Sequence, residues 1–200
     1  MVKDQNGDLD PLLWDTIDIV VGTTFAETWS YWEIPGFPEF NGYGGPDSAL
    51  DGSQITLLPN QPVVVNRLAS AGATNACVLG QVQVKPFTHY LDEGATAVTM
   101  VFAASQQVAL SKLAEAPNFA PDVDGDQTPS DSVIVSEVNG TVFTPVMSFF
   151  EIPGFPELDG WFDGVNTQST EELDPTKGYI ISVPFGNGTI RWRQPAPYSL

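Results

Sequence analysis

The chain of 200 residues carries 25 acids against 7 bases, a net charge of −18, with one histidine and one cysteine. Such a surface repels nucleic acid and anionic lipid, which speaks against partners held by phosphate contacts. A single cysteine leaves no intrachain disulfide. With 42% hydrophobic and 11% aromatic residues the chain can bury a core, and its 18 glycines and 17 prolines predict frequent turns and an all-β fold.

The chain opens on an acidic turn, Asp4-Gln5-Asn6-Gly7-Asp8. Asp4, Asn6, Asp8 and Asp15 stand at positions one, three, five and twelve of a loop, the spacing of an EF-hand set of calcium oxygens. Leu9 occupies the place where that loop needs glycine, so Asx-turns leading into a strand are the competing reading, with calcium dispensable. The first residues contain no apolar h-region, and no stretch approaches 18 apolar residues. The expectation is a protein made in a cytoplasm, without a classical export signal and without a membrane span.

Strands are predicted over residues 16–21 and 23–32. They run into Glu33-Ile34-Pro35-Gly36-Phe37-Pro38-Glu39, whose two prolines cannot sit in a ladder and instead set a kinked loop. Leu57-Leu58-Pro59, the run Val63-Val64-Val65 and a strand over 76–84 that includes Cys77 complete this part. His89 lies in Pro86-Phe87-Thr88-His89-Tyr90 and reads as a structural residue. Residues 96–104 suit a strand, and Ser105 caps a short helix over 106–116 with Val108, Leu110 and Leu113 near one face.

The heptapeptide then returns unchanged as Glu151-Ile152-Pro153-Gly154-Phe155-Pro156-Glu157, at an offset of 151 − 33 = 118. Asp4, Gly7 and Asp8 correspond to Asp122, Gly125 and Asp126, and Tyr43 to Trp161. The chain is an internal duplication. Asn139-Gly140 between β-branched runs predicts a two-residue hairpin turn linking strands over 132–138 and 141–150. Later, Leu173-Asp174-Pro175 answers Leu57-Leu58-Pro59 at 175 − 59 = 116, so one short deletion separates the copies. The units expected are 1–84 and 85–200, sandwich-like and related. The first has no equivalent of residues 96–121, and is expected to be either incomplete at its N-terminal side or finished by a segment from elsewhere, such as a neighbouring subunit.

The order Asn139-Gly140-Thr141, Gly160-Trp161-Phe162-Asp163-Gly164 and Leu173-Asp174-Pro175-Thr176-Lys177-Gly178-Tyr179-Ile180 resembles a β-rich repeat of secreted bacterial surface and adhesin-like proteins, over roughly residues 96–195. Thr176 stands where those repeats carry glycine, and Ile180 where they carry tryptophan. The resemblance implies a structural or adhesive unit.

What repeats is turn chemistry, aromatics and acids. The pairs Glu33/Glu39 and Glu151/Glu157 read as solvated or capping acids rather than as a glycosidase pair. Stiff loops bearing aromatics suit interfaces, so Trp32, Phe37, Phe40, Tyr43, Phe150, Phe155 and Trp161 are the contact candidates. The reading is a non-enzymatic, cofactor-free protein that assembles with itself and with other proteins of a tailed-virus particle. Its place there would be as a capsid decoration, head-fibre or tail-associated component, located in the virion. The alternative is a carbohydrate-binding or adhesive module of an extracellular surface.

Overall fold

The computed structural model describes residues 2–21, 24–46, 61–68, 70, 85–99, 107–140 and 142–196. Leu57-Leu58-Pro59, the strand expected over 76–84 with Cys77, residues 100–104 and the Ser105 cap lie outside them. The protein is all-β, with one short helix, and divides into two compact units, Met1–Gly80 and Gln81–Leu200.

In the first unit β1 (Thr16–Val21), β2 (Thr24–Trp32), β3 (Gly42–Gly44) and β4 (Val63–Asn66) form one antiparallel sheet in the order β3-β2-β1-β4. In the second, β7 (Ile134–Asn139), β8 (Val142–Phe150), β9 (Gly160–Phe162) and β10 (Gly178–Val183) repeat that order, and β6 (Gly94–Thr99) adds a fifth strand beyond β10. β5 (Phe87–Leu91) and β11 (Ile190–Gln194) make a separate two-stranded ribbon, with α1 (Gln107–Ala114) packed on β11.

The duplication is reproduced in the ladders at both ends of each hairpin, and the registers differ by one residue only between the two bulges. Thr16 faces Ser30 as Ile134 faces Ser148, and Ser30 faces Gly44 as Ser148 faces Phe162, all at 118. Asn66 faces Thr16 and Ser182 faces Ile134, which gives 182 − 66 = 116, the offset expected after the deletion. Each hairpin carries one register shift, at Ile19/Val20 in the first unit and at Val135/Ser136 in the second. One expectation is corrected. Asn139 pairs with Val142 in the ladder, so Asn139 is the last residue of its strand rather than the first residue of the turn. Gly140 supplies the positive φ of 61° that the turn demands.

The second unit's core joins sheet, ribbon and helix. Val135, Met147, Tyr179 and Ile181 of the sheet meet Leu91, Ile190 and Trp192 of the ribbon and Leu110 and Leu113 of the helix. A fully buried aliphatic side chain of this kind stabilises by about 1.5–3 kcal/mol.

The two units solve one packing problem with different side chains. Trp32 fills the first unit's version of the site, and a Cβ on Gly44 would lie 2.2 Å from its ring. At the corresponding positions the second unit places Phe150 and Phe162, with ring centroids 5.5 Å apart. The neighbouring pair is conserved in geometry, as Tyr31–Tyr43 at 5.3 Å and 88° and Phe149–Trp161 at 5.7 Å and 81°. Gly44→Phe alone should therefore destabilise the first unit by more than ~3 kcal/mol, because overpacking a rigid ring site has no cheap relaxation. Adding Trp32→Phe copies the second unit and should recover at least half of the loss in thermal melts followed by circular dichroism. A double variant no more stable than Gly44→Phe would refute the exchange.

Candidate functional site

The heptapeptide loops are the best-defined candidates, and their construction begins one residue earlier, at an acid. Asp4 forms a parallel bridge to Trp32, and Asp122 to Phe150. The backbone N–H of Asp4 donates to Tyr31 O (2.9 Å) and its carbonyl accepts from Glu33 N (2.8 Å); Asp122 does the same with Phe149 (2.8 Å) and Glu151 (2.9 Å). The strand end from which each loop departs is thereby fixed.

Ile34-Pro35-Gly36-Phe37 then forms a type II turn. Phe37 N donates to Ile34 O at 3.1 Å and Gly36 takes φ 86°, a value open to glycine but strained for other residues. Phe155 N to Ile152 O at 3.0 Å and Gly154 at φ 88° repeat it. Each turn leads into a single 3-10 turn started by proline, Pro38–Phe40 and Pro156–Leu158. The flanking Phe37 and Phe155 share one backbone conformation, φ −131°, ψ 67° and φ −134°, ψ 60°. The loops are the same object twice.

The structure divides the seven aromatic candidates. Phe37 and Phe155 are 52% and 55% exposed, and Phe40 and Tyr43 are exposed too. Phe37 and Phe40 stand 6.2 Å apart and present one apolar patch, which Phe155 and Leu158 repeat. Trp32 and Trp161, by contrast, are each 8% exposed, and Phe150 is half-buried against Phe162. These three are wall, not contact surface. The reason is the backbone pairing: β3 and β9 pair with the ends of β2 and β8, while the Asp4 and Asp122 bridges set Gly7 against Trp32 and Gly125 against Phe150.

The acidic turns are held by their own backbone. Asp4 accepts from Asn6 N (3.1 Å), Gly7 N (2.6 Å), Leu9 N (3.0 Å) and the Ser30 hydroxyl (2.9 Å). Asp8 takes the Trp14 indole N–H (2.7 Å), the Asn6 amide (2.8 Å) and Asp10 N (3.1 Å). Asp15 has a different environment. It is buried at the start of β1, where it accepts from Val2 N (2.8 Å) and Leu68 N (3.0 Å) and pairs with Arg67. Burial pushes its carboxyl up, but those donors and the guanidinium outweigh it and hold it below its ordinary value. Its counterpart Val133 is buried too, and Asp15 N to Val2 O (3.1 Å) matches Val133 N to Ala120 O (2.9 Å). Asp15 therefore belongs to a core position, with its carboxylate taken up by Val2, Leu68 and Arg67.

Asp122, Asp124 and Asp126 do converge, with carboxylate oxygens within 4.8 Å of one another. Val133 stands at the twelfth position counted from Asp122, so this copy has no carboxylate there. Asp122, however, accepts from Gly125 N (2.7 Å), Gln127 N (3.2 Å) and the Ser148 hydroxyl (2.8 Å), and Asp126 from Thr128 N (2.8 Å) and Oγ1 (2.6 Å). These bonds tie the turn's own backbone and hydroxyls to two of the three carboxylates, and the expectation that calcium is dispensable can be tested. Melting temperatures in millimolar calcium and in chelator should agree within a few degrees, and a large calcium stabilisation would show by mass action that the cluster binds the ion.

His89 is buried and stacked on Trp192 (4.9 Å, 21°), with the Gln194 amide donating to its Nε2 at 2.7 Å. Burial drives its pKa down to about 4, so it is neutral at pH 7. The unfolded chain binds this proton first as pH falls below ~6.5, so stability declines from there until the folded-state pKa is passed, by about 3 kcal/mol in all. His89→Phe, which keeps the ring stack, should flatten the dependence of melting temperature on pH between 6.5 and 5. An unchanged slope would mean that another group titrates there.

Two clefts lie in the second unit. One of about 980 Å³ runs beside the second loop and is lined by Glu157, Leu158, Asp163, Glu171 and Glu172 among others. The Asp163 carboxyl is held far below its ordinary range by the Asn166 backbone and side-chain amides and by Val165 N. The other, of about 420 Å³, lies over the ribbon. No helix among the described residues is long and apolar enough to cross a membrane. No protein-family model, curated protein or solved structure matches this chain.

Proposed function

We propose that the protein is a non-enzymatic assembly component that uses its duplicated fold to present one stiff apolar loop twice. The observation that carries this reading is the pair of matched, exposed patches, Phe37 with Phe40 and Phe155 with Leu158, on backbones that agree within a few degrees. Proline, glycine and the Asp4 and Asp122 bridges fix the loops before any partner arrives, so little conformational entropy is lost on docking. Two matched patches on one chain also make the second contact intramolecular, which multiplies affinity without new chemistry.

The placement of the titratable groups is in keeping with a structural role. His89 is a core residue, and Glu33, one member of the repeated acid pairs, is tied to Lys3. The assembly we favour is a homo-oligomer on a tailed-virus particle, as a capsid decoration, head-fibre or tail-associated protein. Acidity, the lack of disulfides and the duplication support that placement. The second reading, a carbohydrate-binding or adhesive module, draws on the same exposed aromatics, which suit sugar stacking.

Sedimentation velocity over a concentration series tests the assembly. Replacing Phe37 and Phe155 with Ser should abolish self-association while melting stays within ~2 °C, since both rings are exposed. Each single variant should weaken it by about 30-fold, the equivalent of an interface aromatic worth ~2 kcal/mol. A wild-type chain that stays monomeric throughout, or a double variant that still assembles, overturns the proposal. Detection of the chain by mass spectrometry in purified particles decides the virion placement.

A further inference from the structure

Seven bases serve 25 acids in this chain, and most are spent internally. Lys3 pairs with Glu33, Arg67 with Asp15, Lys112 with Glu115 and Lys177 with Glu137, and Lys85 is engaged as well. Among the described residues, the side chains of Arg191 and Arg193 have no ion pair and no hydrogen bond. Although the chain has more than three acids for each base, these two arginines, without an ion pair among the described residues, stand two positions apart on one strand.

The ribbon explains how they are held. β11 alternates strictly, with Ile190, Trp192 and Gln194 buried and Arg191 and Arg193 exposed. Across the ladder Arg191 faces Tyr90 and Arg193 faces Thr88. Trp192, fully buried and stacked on His89, anchors the opposite face, so the two guanidinium groups are carried on a fixed backbone. Pro86 and Pro117 complete the lining of a cleft of about 420 Å³, and Tyr90 lies within it 65% exposed.

A guanidinium prefers a planar, two-oxygen anion, and a carboxylate accepts its fork bidentately. Two arginines two residues apart on one strand face are separated by about 6.6 Å along the chain. An extended peptide with acids at alternate positions presents carboxylates at the same interval. Tyr90 and the prolines offer apolar surface for the stretch between the charges. The molecule's overall −18 does not forbid this, because at physiological salt fields beyond about 8 Å are largely screened and the unpaired arginines dominate nearby.

We propose that the ribbon cleft docks an extended acidic segment of a partner protein, with the pattern acid-x-acid gripped by Arg191 and Arg193 and its backbone laid against Tyr90. The site is separate from the heptapeptide loops and independent of the assembly they mediate.

Fluorescence anisotropy of a labelled peptide Gly-Thr-Glu-Val-Glu-Thr-Gly with the full chain is the test. Binding should weaken at least tenfold when the two glutamates become glutamines, and equally for R191Q/R193Q protein. It should weaken less for R191K/R193K, which keeps charge but loses the fork, and it should fall with rising salt. Melting should stay within ~2 °C, since both arginines are exposed. No binding by the wild-type chain, or equal binding of the glutamine peptide, overturns the site. Tighter binding of a short sulfated dextran than of the peptide also overturns it, in favour of a sugar ligand. Loss of self-association in R191Q/R193Q does so too, in favour of a second copy as occupant. Phe37 and Phe155 variants should bind the peptide normally, which keeps failure here distinct from failure of the loop-mediated assembly.

Discussion

Each unit depends on one buried carboxylate that forms no ion pair among the described residues. Asp4 and Asp122 are almost completely withdrawn from solvent, a placement that is costly unless donors surround the charge. Donors do: three backbone N–H groups and a serine hydroxyl for Asp4, two N–H groups and a serine hydroxyl for Asp122. Hydrogen bonds to a charged group each contribute about 1.5–3 kcal/mol. To aim those N–H groups inward the chain must turn left-handed, at Gly7 and Gly125 (φ 72° and 76°) and again at Leu9 and Gln127 (φ 58° and 54°). A left-handed Leu9 costs roughly 1–2 kcal/mol and is held there because its N–H closes the ring on Asp4. Ser30 and Ser148 tie the same carboxylates to β2 and β8, so the acid sets both the turn and the strand end from which each exposed loop springs.

Much of this was legible in the sequence because the duplication writes it twice. The heptapeptide fixed the offset of 118, the Leu-x-Pro pair gave 116 beyond it, and the ladders reproduce both numbers. The pairing of proline and glycine was enough to place the loops outside the sheet. What one dimension could not supply was which aromatic faces inward. Trp29, Tyr31 and Trp32 follow one another too closely for a period of two to sort them. Their fate is decided by Gly44 and Gly45, which leave room for the two indoles. Asp15 misled for a related reason: its spacing from Asp4 imitates a ligand set, yet the amide of Val2 folds over it and Arg67 arrives from a distant segment. The ribbon cleft had no sequence signal at all, since Tyr90 and Arg191 are 101 positions apart and meet only by strand pairing.

The units share a frame but not an interior. Thr16 and Asp18 are buried in the first sheet with Asn66 bonded to both, whereas the second unit has Ile134, Ser136 and Ser182 at those positions. The first unit thus carries a network of Thr, Asp and Asn where the second carries one isoleucine and two serines. Backbone hydrogen bonding and turn chemistry specify the shared architecture, and side-chain volume is free to drift within it provided that neighbours drift together.

Tandem copies of one fold run a hazard during synthesis, since a strand from one copy can dock into the other and trap a chimera. The shared strand order, with β3 and β9 pairing in the same register, would make such a graft geometrically easy here. The ring exchange stands against it. β9 entering the first sheet would bring Phe162 to the place of Gly44, where Trp32 leaves no room even for a Cβ. β3 entering the second sheet would leave a void beside Phe150 where Phe162 belongs. One misassembly is blocked by collision and the other is penalised by emptiness. The difference between the halves thus works as a molecular proofreader, letting each strand recognise its own sibling.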